Sequence, residues 1–308
     1  GNRDYYLEDN ERFQAYREAY VDYIDTVFEL AGLEVSDSAA EDILAFETEI
    51  AAAHWTRERS RQATETYNVM TVSELDALAP AFNFPEGMAA LGIDVDELIV
   101  MQPSAIEGTA AAFEATDIET IRNWMAFHFI DNRSSWLPAA FDEASFDFFG
   151  RTLRGQAEQR SRDRRGVQLV GGALGHAIGQ IYVQRHFPPE AKAQMDALVQ
   201  DLIVAFRPPA FRCIGRDRET REQALLKLST FEPRIGYPEI WDEYDGLDIR
   251  ADDYFGNRMR MAEFNWAENN DERFDTLNSD LDIEEDFYRA AVALTYTDCG
   301  VDNQSRDT

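Results

Sequence analysis

The sequence predicts an all-α fold: a multi-helix lobe of long amphipathic helices with at most one very short pair of strands. Apolar residues recur at spacings of three and four along most of the chain, which is the helical period. Gly and Pro fall mainly between these segments, where helices begin and end. The 308 residues are 44% hydrophobic and 12% aromatic, which is enough apolar material for a folded core.

Two long helices are predicted at the start of the chain. Residues 9–30 carry apolar and aromatic side chains at helical spacing, and Gly32 follows as a C-cap. Ser36 or Ser38 then begins a second helix, whose apolar stripe starts at Ile43 and which we expect to reach about Gln62. His54 and Trp55 lie near its end, and we interpret them as core or edge residues and not as ligands.

Shorter elements follow in the middle of the chain. Thr71 and Glu74 form a capping-box pattern for a short helix that ends before Pro80. Residues 98–101 are the best strand candidate, and helices are predicted at residues 104–115 and 117–129, the second capped by Thr116 or Asp117. An aromatic-rich segment at residues 141–149 precedes a basic one at 151–165, which we interpret as a solvated or ion-paired face.

Residues 171–192 contain three closely spaced glycines, Gly172, Gly175 and Gly179. On one helix they would share a face, and we predict that this face allows another backbone to approach closely. A phosphate-binding role is disfavoured, because no strand precedes the glycines and their spacing is not that of a nucleotide-binding loop.

Further helices are predicted in the second half of the chain, separated by a turn-rich connector at residues 231–241. Pro188 and Pro189 fit the start of a helix over residues 190–206, with Met195, Leu198 and Leu202 among its inward side chains. The other predicted helices cover residues 218–228, 252–267 and 283–296.

The charge balance is strongly acidic, with 59 acidic residues against 29 basic ones and a net charge of −30. A surface of this charge repels nucleic acid and anionic membranes, so we expect neither as a partner. Lys192 and Lys227 are the only lysines, and an acidic, lysine-poor composition favours solubility in saline surroundings.

No sequence motif for catalysis is present in the chain. HExxH, GxSxG, Walker A, GxGxxG, CxxC and EF-hand patterns are all missing, and the four histidines lack zinc-site spacing. Carboxylate pairs such as Asp42 and Glu47 are background in so acidic a chain. Cys213 and Cys299 do not define a framework, and whether they pair stays open. We therefore predict no catalytic, cofactor-binding or metal-binding residue here.

An ordered set of short motifs nevertheless resembles the neprilysin and endothelin-converting enzyme family of zinc metallopeptidases. The motifs follow the family's order over residues 1 to about 266. They are RDYYL at 3–7, YREAY at 16–20, LAG at 30–32, EIA at 49–51, Arg57 and Arg59, YN at 67–68, MT at 70–71, LDALAP at 75–80, QP at 102–103, LG at 174–175, GQIYV at 179–183, FPP at 187–189, AK at 191–192, Thr220, Ala224, KL at 227–228, IGYP at 235–238, Trp241, Tyr244, Leu247 and GN at 256–257.

The resemblance implies a two-lobed, mostly helical enzyme, in which a zinc-bearing catalytic lobe is covered by a second lobe that limits substrates to peptides. Residues 1–266 resemble that substrate-gating lobe, and residues 267–308 form a divergent tail. The chain departs from the family where the zinc helix would follow, so zinc is expected in a catalytic lobe that this chain lacks. His176 stands where the family usually has an acidic residue, and residues 212–215 lack a common Trp.

Three functions are compatible with this resemblance. The chain is expected to be the gating lobe of a neprilysin-like zinc endopeptidase, present as a fragment or truncated product and inactive alone. The alternatives are an inactive, stand-alone helical module that binds peptides or proteins, and one subunit of a split peptidase. An uncovered lobe interface predicts self-association. The resemblance also implies an extracytoplasmic location, in the periplasm, in the medium or as an ectodomain.

Overall fold

The structure, a computed structural model, describes residues 3–213 and 218–280. The chain divides into two compact units: residues 1–160 with 252–255, here called unit 1, and residues 161–251 with 256–308, here called unit 2. The regular secondary structure of the described part is helical apart from one pair of short strands, so the predicted all-α class is confirmed. Within that part, no helix is both long enough and apolar enough to cross a membrane.

Unit 1 contains the first nine α-helices of the described residues. Their bounds are α1 Asp4–Leu7, α2 Glu11–Ala31, α3 Ala39–Ala53, α4 Ala63–Thr66, α5 Val72–Leu78, α6 Phe84–Ala90, α7 Pro103–Ala115, α8 Ile118–Asp131 and α9 Ala139–Ser145. A π-helical turn, Phe146–Thr152, extends α9, and three 3₁₀ turns occupy Arg59–Arg61, Pro80–Phe82 and Ser134–Trp136.

The predicted caps determine where several of these helices begin and end. Gly32 adopts the left-handed conformation with φ 64° and closes α2. Thr71 and Glu74 exchange both bonds of the capping box at the start of α5. Asp117, one of the two residues predicted to cap α8, accepts hydrogen bonds from the backbone N–H groups of Glu119 and Thr120.

Helices α2, α3 and α8 bury the main hydrophobic core of unit 1 between them. The apolar stripe of α2 supplies Tyr23, Ile24, Val27 and Phe28, as its spacing predicts. The core is completed by Ala39, Ala40, Ile43, Phe127 and Phe148. The ring of Tyr23 stacks on Phe148 with a centroid distance of 5.2 Å. These contacts hold α3 against α2 and α8 and so fix the positions of the polar groups described below.

Helix α3 is shorter than the sequence predicts, because it ends at Ala53 and not near Gln62. The backbone at His54 is extended, with ψ 148°, and the N–H of Trp55 donates to Oε1 of Gln102 over 3.0 Å. This bond takes Trp55 out of the helical ladder, and the chain turns into the 3₁₀ segment that follows. The long-range partner Gln102 gives no local signal, which explains the error.

The strand pair connects the segments on either side of α5 and α6. Strand β1, Val69–Thr71, runs antiparallel to β2, Glu97–Ile99, with Met70 opposite Leu98. A strand is therefore present where residues 98–101 predict one, but it begins one residue earlier and ends two residues earlier than predicted.

The described part of unit 2 contains five further helices. Their bounds are α10 Arg162–Ala173, α11 Gly175–His186, α12 Pro189–Cys213, α13 Arg218–Ser229 and α14 Tyr254–Asp280, the last belonging to unit 2 from residue 256 onward. The connector after α13 is irregular, as predicted, with Gly236 at φ 76°. It packs on the preceding helices, where Nζ of Lys192 donates to the carbonyl oxygen of Tyr237 over 2.9 Å.

The glycine-rich stretch differs from its prediction in two ways. The helix breaks at Leu174, which separates Gly172 on α10 from Gly175 and Gly179 on α11. A Cβ on Gly172 or Gly175 would meet no described atom within 4 Å, so no backbone packs closely there. Only Gly179 allows a close approach, and its neighbour is a side chain, with Cζ3 of Trp241 2.9 Å from an added Cβ.

Among the residues of unit 2 whose side-chain exposure is described, Met261 is the one apolar side chain that is buried. Met195, Leu198 and Leu202, predicted to face inward on α12, are exposed.

The arginines of the basic segment at residues 151–165 are mostly exposed, as predicted, and Arg151 pairs with Asp147 one helical turn away. The predicted helix at residues 283–296 and Cys299 lie outside the described residues.

Candidate binding site

A buried carboxylate is the centre of the candidate site in unit 1. Glu47 lies on the inward face of α3, four residues after Ile43 and directly after Phe46, and only 7% of its surface is exposed. Burial of an ionised carboxylate is strongly unfavourable unless hydrogen bonds compensate for the lost water. Its surroundings must therefore supply donors.

Four side chains from three other helices supply hydrogen bonds to Glu47. The hydroxyl of Tyr6 on α1 donates to Oε2 over 2.9 Å. Oε1 is shared by the hydroxyl of Tyr20 on α2 at 3.2 Å, Nε1 of Trp124 on α8 at 3.0 Å and Nε2 of His128 on α8 at 2.6 Å. Because an ionised carboxylate only accepts, the Nε2 atom of His128 carries a proton in this arrangement.

The local geometry of α8 explains why two of these donors act together. Trp124 and His128 are four residues apart and lie on the same face of the helix, with ring centroids 5.0 Å apart. Phe127, between them in sequence, enters the hydrophobic core and fixes the rotation of the helix. The core packing therefore directs both donor groups towards α3.

The two phenols remain donors over the whole neutral range. Burial raises the pKa of Tyr6 and of Tyr20 well above the usual value for a phenol, and the negative charge of Glu47 raises both further. Their hydroxyl protons are held against the carboxylate. Since its oxygens accept four bonds, the Glu47 carboxylate is well satisfied and serves better as a fixed structural anchor than as a proton acceptor in catalysis.

A cavity of about 570 Å³ opens above this cluster, within the size range of small-ligand pockets. His54 and Trp55 both line it, the first exposed and the second half-buried, so neither is a core residue. The full lining consists of Arg3, Tyr6, Glu47, Ile50, Ala51, His54, Trp55, Arg57, Ser60, Gln102, Trp124 and His128.

The other two histidines lie in unit 2, away from any such cluster. Nδ1 of His176 is 3.0 Å from the backbone nitrogen of Asp242 and 2.9 Å from its Oδ1. The ring of His186 contacts that of Tyr182. Over residues 3–213 and 218–280, no three His, Cys, Asp or Glu side chains are arranged to hold a metal ion.

Sequence reasoning names no site residue, and the prediction that this chain carries no catalytic or metal-binding residue remains a prediction. The sequence analysis also fails to identify the cluster of side chains around Glu47. One signal was available: Glu47 occupies an inward position of a strongly apolar helical stripe, where a charge requires partners. Trp124 and His128 four residues apart give a second, weaker one.

The helical fold and the cavity in unit 1 are accompanied by clear similarity to known peptidases. A profile of the N-terminal part of peptidase family M13 matches residues 1–238. The chain therefore belongs to peptidase family M13, and the resemblance to neprilysin and the endothelin-converting enzymes is confirmed.

Individual relatives show how much of a whole enzyme this chain represents. It is 28% identical to Neprilysin-2 of Drosophila melanogaster, covering 80% of this chain and 35% of that protein. It is 26% identical to human endothelin-converting enzyme 1, and that match covers 86% of this chain and 36% of that protein. The sequence thus spans about a third of the length of these curated relatives.

A solved structure gives a somewhat larger share. The crystal structure of the Mycobacterium tuberculosis zinc metalloprotease Zmp1 in complex with an inhibitor matches with a TM-score of 0.76 and 34% identity. The match covers 87% of this chain and 41% of that protein.

Proposed function

We propose that residues 1–266 form a helical, substrate-gating lobe of a neprilysin-like zinc endopeptidase that acts on peptides. The observation that carries this is the similarity to Zmp1, which extends over 87% of this chain but only 41% of that metalloprotease. More than half of that metalloprotease lies outside the match, which is enough chain for a separate catalytic lobe. Residues 267–308, which depart from the family pattern, are proposed as a divergent tail, and the family likeness supports an extracytoplasmic location.

The zinc of the family is assigned to residues outside this sequence, on the same or another chain. A catalytic zinc site needs three protein ligands, an open coordination position and a base that activates water. The sequence has no HExxH, and no suitable group of ligands occurs among the described residues. These residues do not fit a zinc ion, so their proposed contribution is to bind and orient the peptide and exclude water.

Zinc content and peptide cleavage test this proposal directly. The purified 308-residue chain is expected to contain no stoichiometric zinc and to give no chelator-sensitive cleavage of a quenched fluorescent peptide. Co-expression with an HExxH-bearing catalytic segment of an M13 peptidase is expected to yield zinc-dependent cleavage. The matched control is the same pair with the Glu of HExxH replaced by Gln, which removes the base.

Two results would contradict the proposal. Tight zinc and chelator-sensitive turnover by the chain alone would show that it carries its own catalytic site. Failure of every cognate catalytic segment to give activity, with peptide binding retained by the chain, would favour an inactive binding module instead.

A further inference from the structure

The cavity above Glu47 has an unusual charge for this protein. The chain as a whole carries −30, yet the cavity is lined by two arginines against a single carboxylate, together with two histidines. That carboxylate, Glu47, already accepts hydrogen bonds from four donors at the floor. The lining therefore offers excess positive charge on an acidic molecule, and such a surface attracts anions.

Arg57 is the first of the two groups available to an anion. Its side chain is exposed at the cavity, and it forms no hydrogen bond or salt bridge with another described residue. It interacts electrostatically with Glu58, the next residue in the chain. Its guanidinium can thus present paired N–H donors to a carboxylate without first breaking a bond inside the protein.

Arg3 is held more firmly at the same cavity. Its Nε donates to the carbonyl oxygen of Ala51 at the end of α3, over 3.3 Å. Its two terminal nitrogens form no hydrogen bond with the described part of the chain, so they remain available for a ligand. A guanidinium fixed through Nε is already oriented, which lowers the entropic cost of binding.

The cavity also has rigid aromatic walls. Trp55 is fixed at both ends, because its backbone N–H bonds to Gln102 and its Nε1 donates to Oγ of Ser104 over 2.8 Å. The guanidinium of Arg59 covers the ring of Trp55 at 3.6 Å from the ring centroid. Trp124 and Tyr6, which also line the cavity, are fixed by their hydrogen bonds to Glu47. Such surfaces accept an apolar or aromatic group.

We propose that this cavity binds a carboxylate that is attached to an aromatic or apolar group, with Arg57 and Arg3 holding the carboxylate. This binding site goes beyond the gating function and does not depend on it, since it requires neither zinc nor peptide cleavage. The same chemistry occurs in a free aromatic acid and in an acidic side chain beside an aromatic residue within a peptide. The volume of about 570 Å³ accommodates either.

Calorimetric titration of the 308-residue chain with matched probes tests the proposal and separates the two sources. The free-acid probe is 3-phenylpropanoate, and its control is 3-phenylpropanamide. The peptide probe is acetyl-Phe-Glu-amide, whose only carboxylate is a side chain, and its control is acetyl-Phe-Gln-amide. Each acid is expected to bind at least about tenfold more tightly than its amide, which corresponds to one charge-assisted hydrogen bond.

Two arginine variants assign the binding to the cavity. Arg57→Gln is expected to weaken binding of the acids about tenfold and to leave that of the amides unchanged. Arg61→Gln is the matched control, because it removes the same charge from the neighbouring 3₁₀ turn but does not line the cavity. Both side chains are exposed, so neither change should prevent folding.

The outcomes divide clearly. Tighter binding of either acid than of its amide, lost in Arg57→Gln only, supports the site, and whichever acid binds more tightly identifies the source. Equal binding of acid and amide, equal losses in Arg57→Gln and Arg61→Gln, or equally tight binding of inorganic phosphate would overturn it. Zinc content and peptidase activity do not enter this result.

Discussion

Nε2 of His128 lies 2.6 Å from Oε1 of Glu47, across 81 positions in sequence, and this contact joins α8 to α3. Together with the bonds from Tyr6 and Tyr20 it connects four helices through one carboxylate. A polar group that is buried and fully bonded fixes one arrangement of the helices, because any other arrangement leaves the charge without partners. We therefore regard Glu47 as a main determinant of the geometry of the cavity above it.

The first prediction concerns Glu47 itself. Glu47→Gln replaces an acceptor oxygen with an NH₂ group that faces donors, and is expected to lower the free energy of unfolding by roughly 3 kcal/mol. Glu49→Gln, on the exposed side of the same helix, is the control and is expected to change it by less than about 0.5 kcal/mol. Urea denaturation measures both, and similar small losses in the two variants would contradict the role of Glu47.

The second prediction concerns Asp131 at the end of α8. Its Oδ1 accepts a hydrogen bond from the hydroxyl of Tyr23 over 2.6 Å. Burial raises the pKa of Asp131, although the bond from Tyr23 and the charge of His128 act in the opposite direction. The folded chain therefore keeps this proton to a higher pH than the unfolded chain. The free energy of unfolding must fall as pH rises from the ordinary Asp pKa through the raised value.

Asp131→Asn isolates this effect, because an amide oxygen still accepts from Tyr23 but does not ionise. The difference in unfolding free energy between the variant and the natural chain is expected to widen across that pH window and then stay constant. Asp37→Asn, which removes one exposed charge, controls for the overall acidity. Parallel curves for Asp131→Asn and the natural chain would refute the prediction.

Sequence alone predicts the elements of this fold that rest on local chemistry. The stripe ending at Phe28, the Gly32 cap and the Thr71–Glu74 box depend on residues within a few positions of one another. The early end of α3 depends on Gln102, 47 positions from Trp55. For that reason local spacing overestimates the helix.

The Glu47 site could not be predicted from the sequence, because it too depends on residues that are distant in sequence. Its donors lie 41, 27, 77 and 81 positions away, so no motif of fixed spacing connects them. In a chain with 59 acidic residues, one more carboxylate carries little information unless its burial is known. The packing of α1, α2 and α8 around α3 distinguishes it from the others, and the one local sign of this is the apolar stripe in which Glu47 lies.

The third prediction compares a glycine that packs against a side chain with one that faces open space, both in the stretch at residues 171–192. Gly179→Ala would place a Cβ 2.9 Å from the Trp241 ring, and is expected to lower the unfolding free energy by about 1–2 kcal/mol. Gly172→Ala meets open space on α10, and is expected to raise it by up to about 1 kcal/mol. Thermal unfolding followed by circular dichroism gives both signs. Stabilisation by Gly179→Ala would show that Trp241 does not pack there.

The last prediction concerns the exposed apolar side chains of unit 2. Val167 is 74% exposed, and Ile181 and Tyr182 on α11 are 52% and 60% exposed, while few described apolar residues of this unit are buried. Uncovered apolar surface of this kind favours association in water. We expect light scattering at micromolar concentration to find the purified chain larger than a monomer. The double variant Val167→Gln with Ile181→Gln should shift it towards the monomer.

Ile118→Gln provides the matched control, because Ile118 is 63% exposed but lies in unit 1, whose core is well packed. It is expected to leave the association unchanged. Co-expression with a catalytic segment should also reduce association, if that segment covers the same surface. If the chain is a monomer at all concentrations tested, the exposed apolar area does not drive self-association. That result would argue against an uncovered interface.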